Sequence, residues 1–330
     1  MRLRDKNVLV TGAGGFIGSH LVERLVSESC RVRAMVHYNS GGKWGNLECL
    51  PEELKKEIQV FPGDVTDPFS VMKAVDGCEV VFHLAALIAI PYSYIAPQSY
   101  VATNVAGTLN VMEACRRCGV EKVVHTSTSE TYGTAIYTPI DEKHPLQGQS
   151  PYSASKIGAD KIAESYFCSF NLPVATIRPF NTYGPRQSAR AIIPTIISQV
   201  LARKTCIKIG SLTPIRDFSY VKDTVDGFVK IALSERSIGE LINVGFGAGI
   251  TIGELAESII NLIGGKVDII SDNQRVRPKN SEVMELICSN GKAKKLIDWE
   301  PHYTLRDGIS ETVSFIKDNL NLYKTDIYNI

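Results

Sequence analysis

The chain has 330 residues, 44% hydrophobic and 22% charged, with 26 glycines and 15 prolines spread through it, the composition of a globular protein with a full core. Lysine and arginine total 36 against 35 aspartates and glutamates, a net charge of +1, so no global field exists to hold nucleic acid or an anionic membrane. Any anionic ligand must be met locally.

Met1 to Lys6 lead straight into a short apolar run with no signal-peptide pattern, which points to the cytoplasm. The longest apolar stretch, Val80 to Ile90, contains His83 and falls short of the ~18 residues a membrane helix needs, so no membrane partner is expected. The eight cysteines read as reduced, mostly buried thiols, and Cys115 and Cys118 have no second Cys/His pair near them; no metal site is expected.

In chain order, β-branched runs at Asn7–Val10, Arg31–Val36, Ile58–Phe61, Glu79–Leu84, Lys122–Thr126 and Val174–Arg178 alternate with helical windows such as Gln98–Cys118 and Pro151–Ser169. That rhythm predicts an α/β protein of the Rossmann type, a doubly wound parallel sheet of about six strands over residues 1–180. Beyond Pro179 the pattern becomes irregular: Pro-containing loops at Tyr183–Arg186 and Thr213–Arg216, a strand at Cys206–Ile209, and helices near Thr224–Leu233 and Thr251–Ile263. Residues 181–330 are expected to form mainly a smaller carboxyl-terminal α/β substrate lobe, with a segment of about 217–248 returning to the first domain.

Directly after the first strand comes Thr11-Gly-Ala-Gly-Gly-Phe-Ile-Gly18, opening a helix. Gly12 permits the tight turn, Gly15 the approach of a pyrophosphate, and Gly18 close helix–sheet packing. After the second strand, where an acidic residue would hold the adenosine ribose, stands His37-Tyr38-Asn39-Ser40, which leaves NAD and NADP both open. Asp64, followed by Val65, is placed either at the adenine edge or in a turn or helix cap.

Tyr152 is followed by Lys156, a spacing that sets both side chains on one helix face. An ammonium or a cationic nicotinamide beside the phenol lowers its pKa and makes Tyr152 a usable base. At the end of the fifth strand, Thr128, Ser129 and Glu130 would face the cleft; a simple hydride-transfer site needs only a hydroxyl there, whereas Glu130 offers a second base or is merely an exposed loop residue.

These motifs, with His83-Leu84-Ala85-Ala86, Asn104 in Thr103-Asn-Val-Ala-Gly-Thr, Arg178-Pro-Phe-Asn-Thr-Tyr-Gly-Pro-Arg186 and Arg216-Asp-Phe-Ser-Tyr-Val-Lys-Asp223, resemble the extended short-chain dehydrogenase/reductase family acting on nucleotide sugars, over essentially the whole chain. Thr128-Ser-Glu130 is similar to the motif of GDP-mannose 4,6-dehydratases and has Ser129 where dTDP-glucose 4,6-dehydratases carry an aspartate; 4-epimerases typically lack the glutamate. Leu84–Tyr94 and Tyr323–Ile330 look closest to the 4,6-dehydratases of legionaminic acid biosynthesis.

The resemblance implies a 4,6-dehydratase acting on a nucleotide-diphosphate sugar, with NAD as cofactor and Tyr152, Lys156, Thr128, Ser129 and Glu130 as catalytic residues. It implies cofactor contacts at Gly12, Gly15, Phe16, Ile17, Gly18, His37, Asp64, Val65, Leu84, Ala85, Ala86 and Thr103. Substrate contacts are implied at Asn181, Arg186, Arg216, Asn243 and Arg277, and a homodimer through the helices Gln98–Cys118 and Pro151–Ser169. A 4-epimerase would use Tyr152 and Lys156 without needing Glu130 as base.

Overall fold

The computed structural model describes residues 1–264 and 266–328; Asn329 and Ile330, the end of the stretch Tyr323–Ile330, lie outside them. The strands are β1 (Asn7–Thr11), β2 (Arg31–His37), β3 (Ile58–Gly63), β4 (Val80–His83), β5 (Lys122–Thr126), β6 (Val174–Pro179), β7 (Asn181–Tyr183), β8 (Cys206–Ile209), β9 (Ile215–Tyr220), β10 (Leu241–Val244), β11 (Gly249–Thr251), β12 (Asp268–Ser271) and β13 (Glu285–Leu286). The helices are α1 (Phe16–Ser27), α2 (Glu52–Lys56), α3 (Pro68–Val75), α4 (Ile90–Ile95), α5 (Pro97–Tyr100), α6 (Gly107–Cys118), α7 (Pro151–Phe170), α8 (Ile192–Leu201), α9 (Val221–Leu233), α10 (Ile252–Ile263), α11 (Gly291–Ile297) and α12 (Leu305–Asp318).

Seven parallel strands form the main sheet in the order β10-β6-β5-β4-β1-β2-β3. The central strands read as short apolar runs, Val8–Val10 in β1, Val80–Phe82 in β4 and Val123–Val124 in β5, because both faces are covered there. Val8 and Val10 of β1 join the core on the side of α1 and α9, while Leu9 between them joins the core on the side of α3, α6 and α7. The strand order reverses between β1 and β4, which opens a crevice at the carboxyl ends of these strands.

Six of the seven strands follow the sequence rhythm. The seventh, β10, comes from the irregular second half and pairs with β6 from Leu241↔Thr176 to Val244↔Pro179. The remaining elements build a lobe over the crevice: β11, β9, β13 and β7 form one small sheet, β8 and β12 another, packed on α8, α10 and α12.

The helix expected over Gln98–Cys118 is three pieces: α5, a π-helical segment at Val101–Ala106, and α6. The π segment seats Asn104, whose amide donates to Leu87 O (3.0 Å) and Ser155 Oγ (2.9 Å) while its carbonyl accepts from Leu87 N (2.8 Å). A wider turn of this kind is a local insertion, invisible to a 3.6-residue periodicity. It ties the loop after β4 to α7, and so places both walls of the crevice. Among the described residues, no helix is long and apolar enough to cross a membrane.

Candidate functional site

The crevice holds a cavity of about 640 Å³ lined at one end by the glycine-rich turn. Gly12 has φ +69°, and a Cβ there would stand 2.8 Å from Ala85 N; one on Gly14 would stand 2.6 Å from Trp44 O. Gly15 caps α1 and has no side chain to satisfy the first helical N–H groups. This glycine cradle therefore leaves room for a pyrophosphate at a helix N-terminus, and fits a dinucleotide. Gly12, Gly15, Phe16, Ile17, Gly18, His37, Leu84, Ala85 and Ala86 all line the cavity.

Asp64, Val65 and Thr103 stand outside this lining. The Asp64 carboxylate accepts Thr66 N (2.9 Å) and lies 4.0 Å from His37 Nδ1, in the turn that follows β3. Val65 packs under α6, where a Cβ on Gly107 would meet its side chain at 3.0 Å, and Thr103 sits on the π segment. Conversely, Asn39, Lys43 and Trp44 line the cavity without having been expected. Asn39 closes their loop, accepting Lys43 N (3.0 Å) and donating to Lys43 O (2.8 Å). The signal available in sequence was the glycine pair Gly41-Gly42 marking a turn after β2.

Thr128, Ser129, Glu130, Tyr152 and Lys156 meet at the opposite end of the cavity. Pro151 opens α7 behind a capping box in which Ser150 and Ser153 exchange hydrogen bonds, so the Tyr152 and Lys156 side chains are rooted in a fixed first turn. The Lys156 ammonium donates to Thr126 O (2.6 Å) at the end of β5. Burial pulls Lys156 down to about 8; the Asp160 carboxylate works in the opposite direction.

The expected lowering of the Tyr152 phenol is not what the protein alone produces. Burial pushes that phenol well above its ordinary value, and the Thr128 hydroxyl offsets this only in part. Lys156 gives one of its three N–H donors to a backbone carbonyl; its charge, and that of any cationic ligand bound in the cavity, are what can lower the phenol.

Beneath these groups lies a network of buried charges. Asp160, one turn after Lys156, accepts from His125 Nε2 (3.0 Å), Ser127 Oγ (2.5 Å) and Arg178 Nη2 (2.7 Å). Burial disfavours its charge, yet the His125 hydrogen bond and the Arg178 guanidinium hold the carboxyl well below its ordinary range. The Arg178 guanidinium also stacks on Tyr132, 4.5 Å from the ring centroid.

Asn181, Thr182 and Gln187 line this cavity and also a smaller adjoining one of about 320 Å³, bounded by Arg190, Arg216, Arg275, Arg277, Glu282 and the lobe. Arg277 Nη1 lies 3.7 Å from Glu130 and 3.7 Å from Glu282, and Arg216 Nη2 lies 3.4 Å from Glu282. Arg277 Nη1 is buried with no hydrogen-bond partner among the described residues. A donor left open in this way suits an anionic ligand at the junction of the two cavities. The Asn181 amide donates to Asp217 O (3.1 Å), which fixes it at the junction.

Two expected substrate residues are directed elsewhere. Arg186, at φ +69°, turns toward α1 and pairs with Glu23 (2.8 Å). Asn243 is buried in β10, accepting from Tyr132 Oη (2.8 Å) and donating to Ile140 O (3.2 Å). Motif membership located both residues but said nothing about which way an irregular loop or an edge strand points its side chain. Glu282, which bridges the two arginines, was missed because nothing local in its sequence marks it.

Comparison with known proteins gives the setting for this geometry. Residues 9–312 match the family model of GDP-mannose 4,6-dehydratase. A UDP-glucose 4-epimerase of Mycolicibacterium smegmatis is 33% identical, the match covering 94% of this chain and 98% of the relative. A dTDP-D-glucose 4,6-dehydratase of Mus musculus is 31% identical over 97% of this chain and 91% of the relative. Among solved structures, the dTDP-glucose 4,6-dehydratase DesIV of Streptomyces venezuelae, with NAD and TYD bound, superposes with a TM-score of 0.87 at 26% identity, covering 96% and 99% of the two chains.

Proposed function

Since the chain belongs to the GDP-mannose 4,6-dehydratase family of extended short-chain dehydrogenase/reductases, we propose that it is a nucleotide-sugar 4,6-dehydratase that binds NAD. The substrate proposed is a UDP- or GDP-linked N-acetylglucosamine and the product its 4-keto-6-deoxy sugar. The observation that carries this reading is Glu130, a carboxylate in the same cavity as Tyr152 and Thr128 and in reach of the arginine pair.

Bound NAD would accept and return a hydride within one turnover, and its positive charge would lower the Tyr152 phenol. Gly12, Gly14 and Gly15 would hold its pyrophosphate, with Phe16, His37, Leu84 and Ala85 along its length. Tyr152 takes the proton of the sugar C4 hydroxyl, and Thr128 holds the same oxygen. The ketone formed at C4 acidifies the C5 hydrogen, which Glu130 removes as the C6 hydroxyl leaves as water. Ser129 is too weak an acid to protonate that leaving group, so the proton comes from Glu130 or a water beside it. Arg216 and Arg277 take the diphosphate and Asn181 the sugar–phosphate junction.

A setting in legionaminic acid or other surface-glycan synthesis is supported by the resemblance of Leu84–Tyr94 and Tyr323–Ile330, stretches whose Ile88, Pro91 and Tyr328 line the two cavities. All eight cysteines are free, as suits work in the cytoplasm. A homodimer through α6 and α7 is supported by Leu109 and Phe170, apolar side chains exposed on these helices; sedimentation at micromolar protein would show only monomer if the idea is wrong. We assign the dinucleotide domain to residues 1–180 and the substrate lobe to 181–330, with the return near 217–248.

The test is NMR of the NAD-loaded protein incubated separately with UDP- and GDP-N-acetylglucosamine. A new C6 methyl signal with a hydrated 4-keto carbon is the expected result. Inversion at C4 with an intact CH₂OH group would make it a 4-epimerase, the reading that the Mycolicibacterium relative favours.

A further inference from the structure

After α12 the chain makes a short turn at Leu320–Leu322 and runs back across the lobe. Tyr323 packs against the lobe core and donates its hydroxyl to Gln187 O (3.1 Å), the carbonyl of a residue lining both cavities. Asp326 pairs with Lys204 on the loop before β8. Tyr328, held beyond these two anchors, lines the smaller cavity.

Its ring lies 4.8 Å from the Arg275 guanidinium, whose Nε is held by Asp272 at 3.3 Å. Two residues on, Arg277 turns to Glu130 and Glu282. On the other bank Tyr94 of α4 hydrogen-bonds Ser281 (2.7 Å), so the strap 275–282 is fastened at both ends. The lining of this cavity carries four arginines and one carboxylate, a local excess of positive charge in a chain that has almost none overall.

We infer that residues 323–328 belong to the substrate site, and that Tyr328 is a positioning residue that closes the outer wall of the smaller cavity and holds Arg275 over the diphosphate–sugar end of the ligand. The inference rests on the nucleotide-sugar reading above. A guanidinium stacked on an aromatic face keeps its plane and its remaining N–H donors aimed while losing little hydration, which suits a side chain that must meet a phosphate. Removing the ring frees Arg275 to swing into solvent; removing only the hydroxyl leaves the stacking face.

The experiment uses the NAD-loaded protein and titrates UDP and GDP by calorimetry into wild type, Y328A and Y328F. Y328A is expected to weaken nucleoside-diphosphate binding by about tenfold, with Y328F within about twofold of wild type. NAD affinity and Tm are expected to stay unchanged. With UDP- or GDP-N-acetylglucosamine, KM is expected to rise in Y328A by the same factor while kcat moves less than about twofold. Y328A binding as tightly as wild type would overturn the inference alone, as would Y328F losing as much as Y328A. Wild type binding neither UDP nor GDP would overturn the nucleotide-sugar reading, and this inference with it.

Discussion

Replacing Glu130 with glutamine keeps the shape of the side chain and removes its capacity to take a proton at C5. E130Q is expected to lose turnover by about 10²–10⁴ while nucleoside-diphosphate affinity stays near wild type; a loss of affinity with turnover retained would reduce Glu130 to a binding residue. The neighbouring pair answers to pH. Lys156, drawn down to about 8 by burial, is charged below that value and neutral above it, so any assistance it gives the phenol fades as pH rises through 8. Asp160 opposes that depression. D160N removes the opposing charge, lowers Lys156 further, and should move the alkaline fall of kcat about one pH unit toward neutrality. A limb that stays in place would show that the Asp160 network supports the fold and not the ammonium.

At this scale the chemistry was legible where it was local. Tyr152 and Lys156 share a helix face through their spacing, and the glycine turn declares itself by following a strand. What could not be read were partners meeting across long stretches of chain: Glu282 between Arg216 and Arg277, Lys43 and Trp44 folding over the cradle, and Arg186 spent on Glu23.

Among the elements, the β1–α1 turn tolerates least. A Cβ on Gly18 would stand 2.2 Å from Gly12 O, backbone against backbone, with no flexible side chain to yield. G18A is expected to cost about 3 kcal/mol or more and to weaken NAD binding along with stability, measured by denaturant unfolding and by dinucleotide titration. The strands of this half were visible in advance because each carries Val or Ile in a short run at regular spacing between helical windows. The π segment at Val101–Ala106 was not, since an inserted residue leaves the apolar pattern of the flanking turns intact. β10 was not marked as a strand, being four residues long, although a return of about 217–248 to the first domain was expected.

For the molecule as a whole, one acid-sensitive contact joins the first helix to the loop beneath the lobe. His20 of α1 shares its Nε2 proton with Pro185 O at 2.9 Å, and burial, with Arg186 adding repulsion, pulls its pKa from 6.5 to about 4. The unfolded chain therefore takes up this proton before the folded one does. Stability from His20 is complete above about pH 6.5 and drains away as pH falls toward 4. Unfolding free energies across that window should slope less steeply in H20Q than in wild type; parallel slopes would mean that other groups set the acid limit.

The placement of β10 also has a consequence for how the chain is made. During synthesis β6 emerges as the last strand of the first half and stays an open edge, the backbone groups of the side away from β5 unpaired, until Leu241–Val244 have left the ribosome. A chain stopped near residue 180 would present that edge permanently, beside the buried Val174, Ala175 and Ile177, and is expected to self-associate, which light scattering of the truncated protein would show. Covering that edge is thus among the last steps by which the parallel sheet is completed.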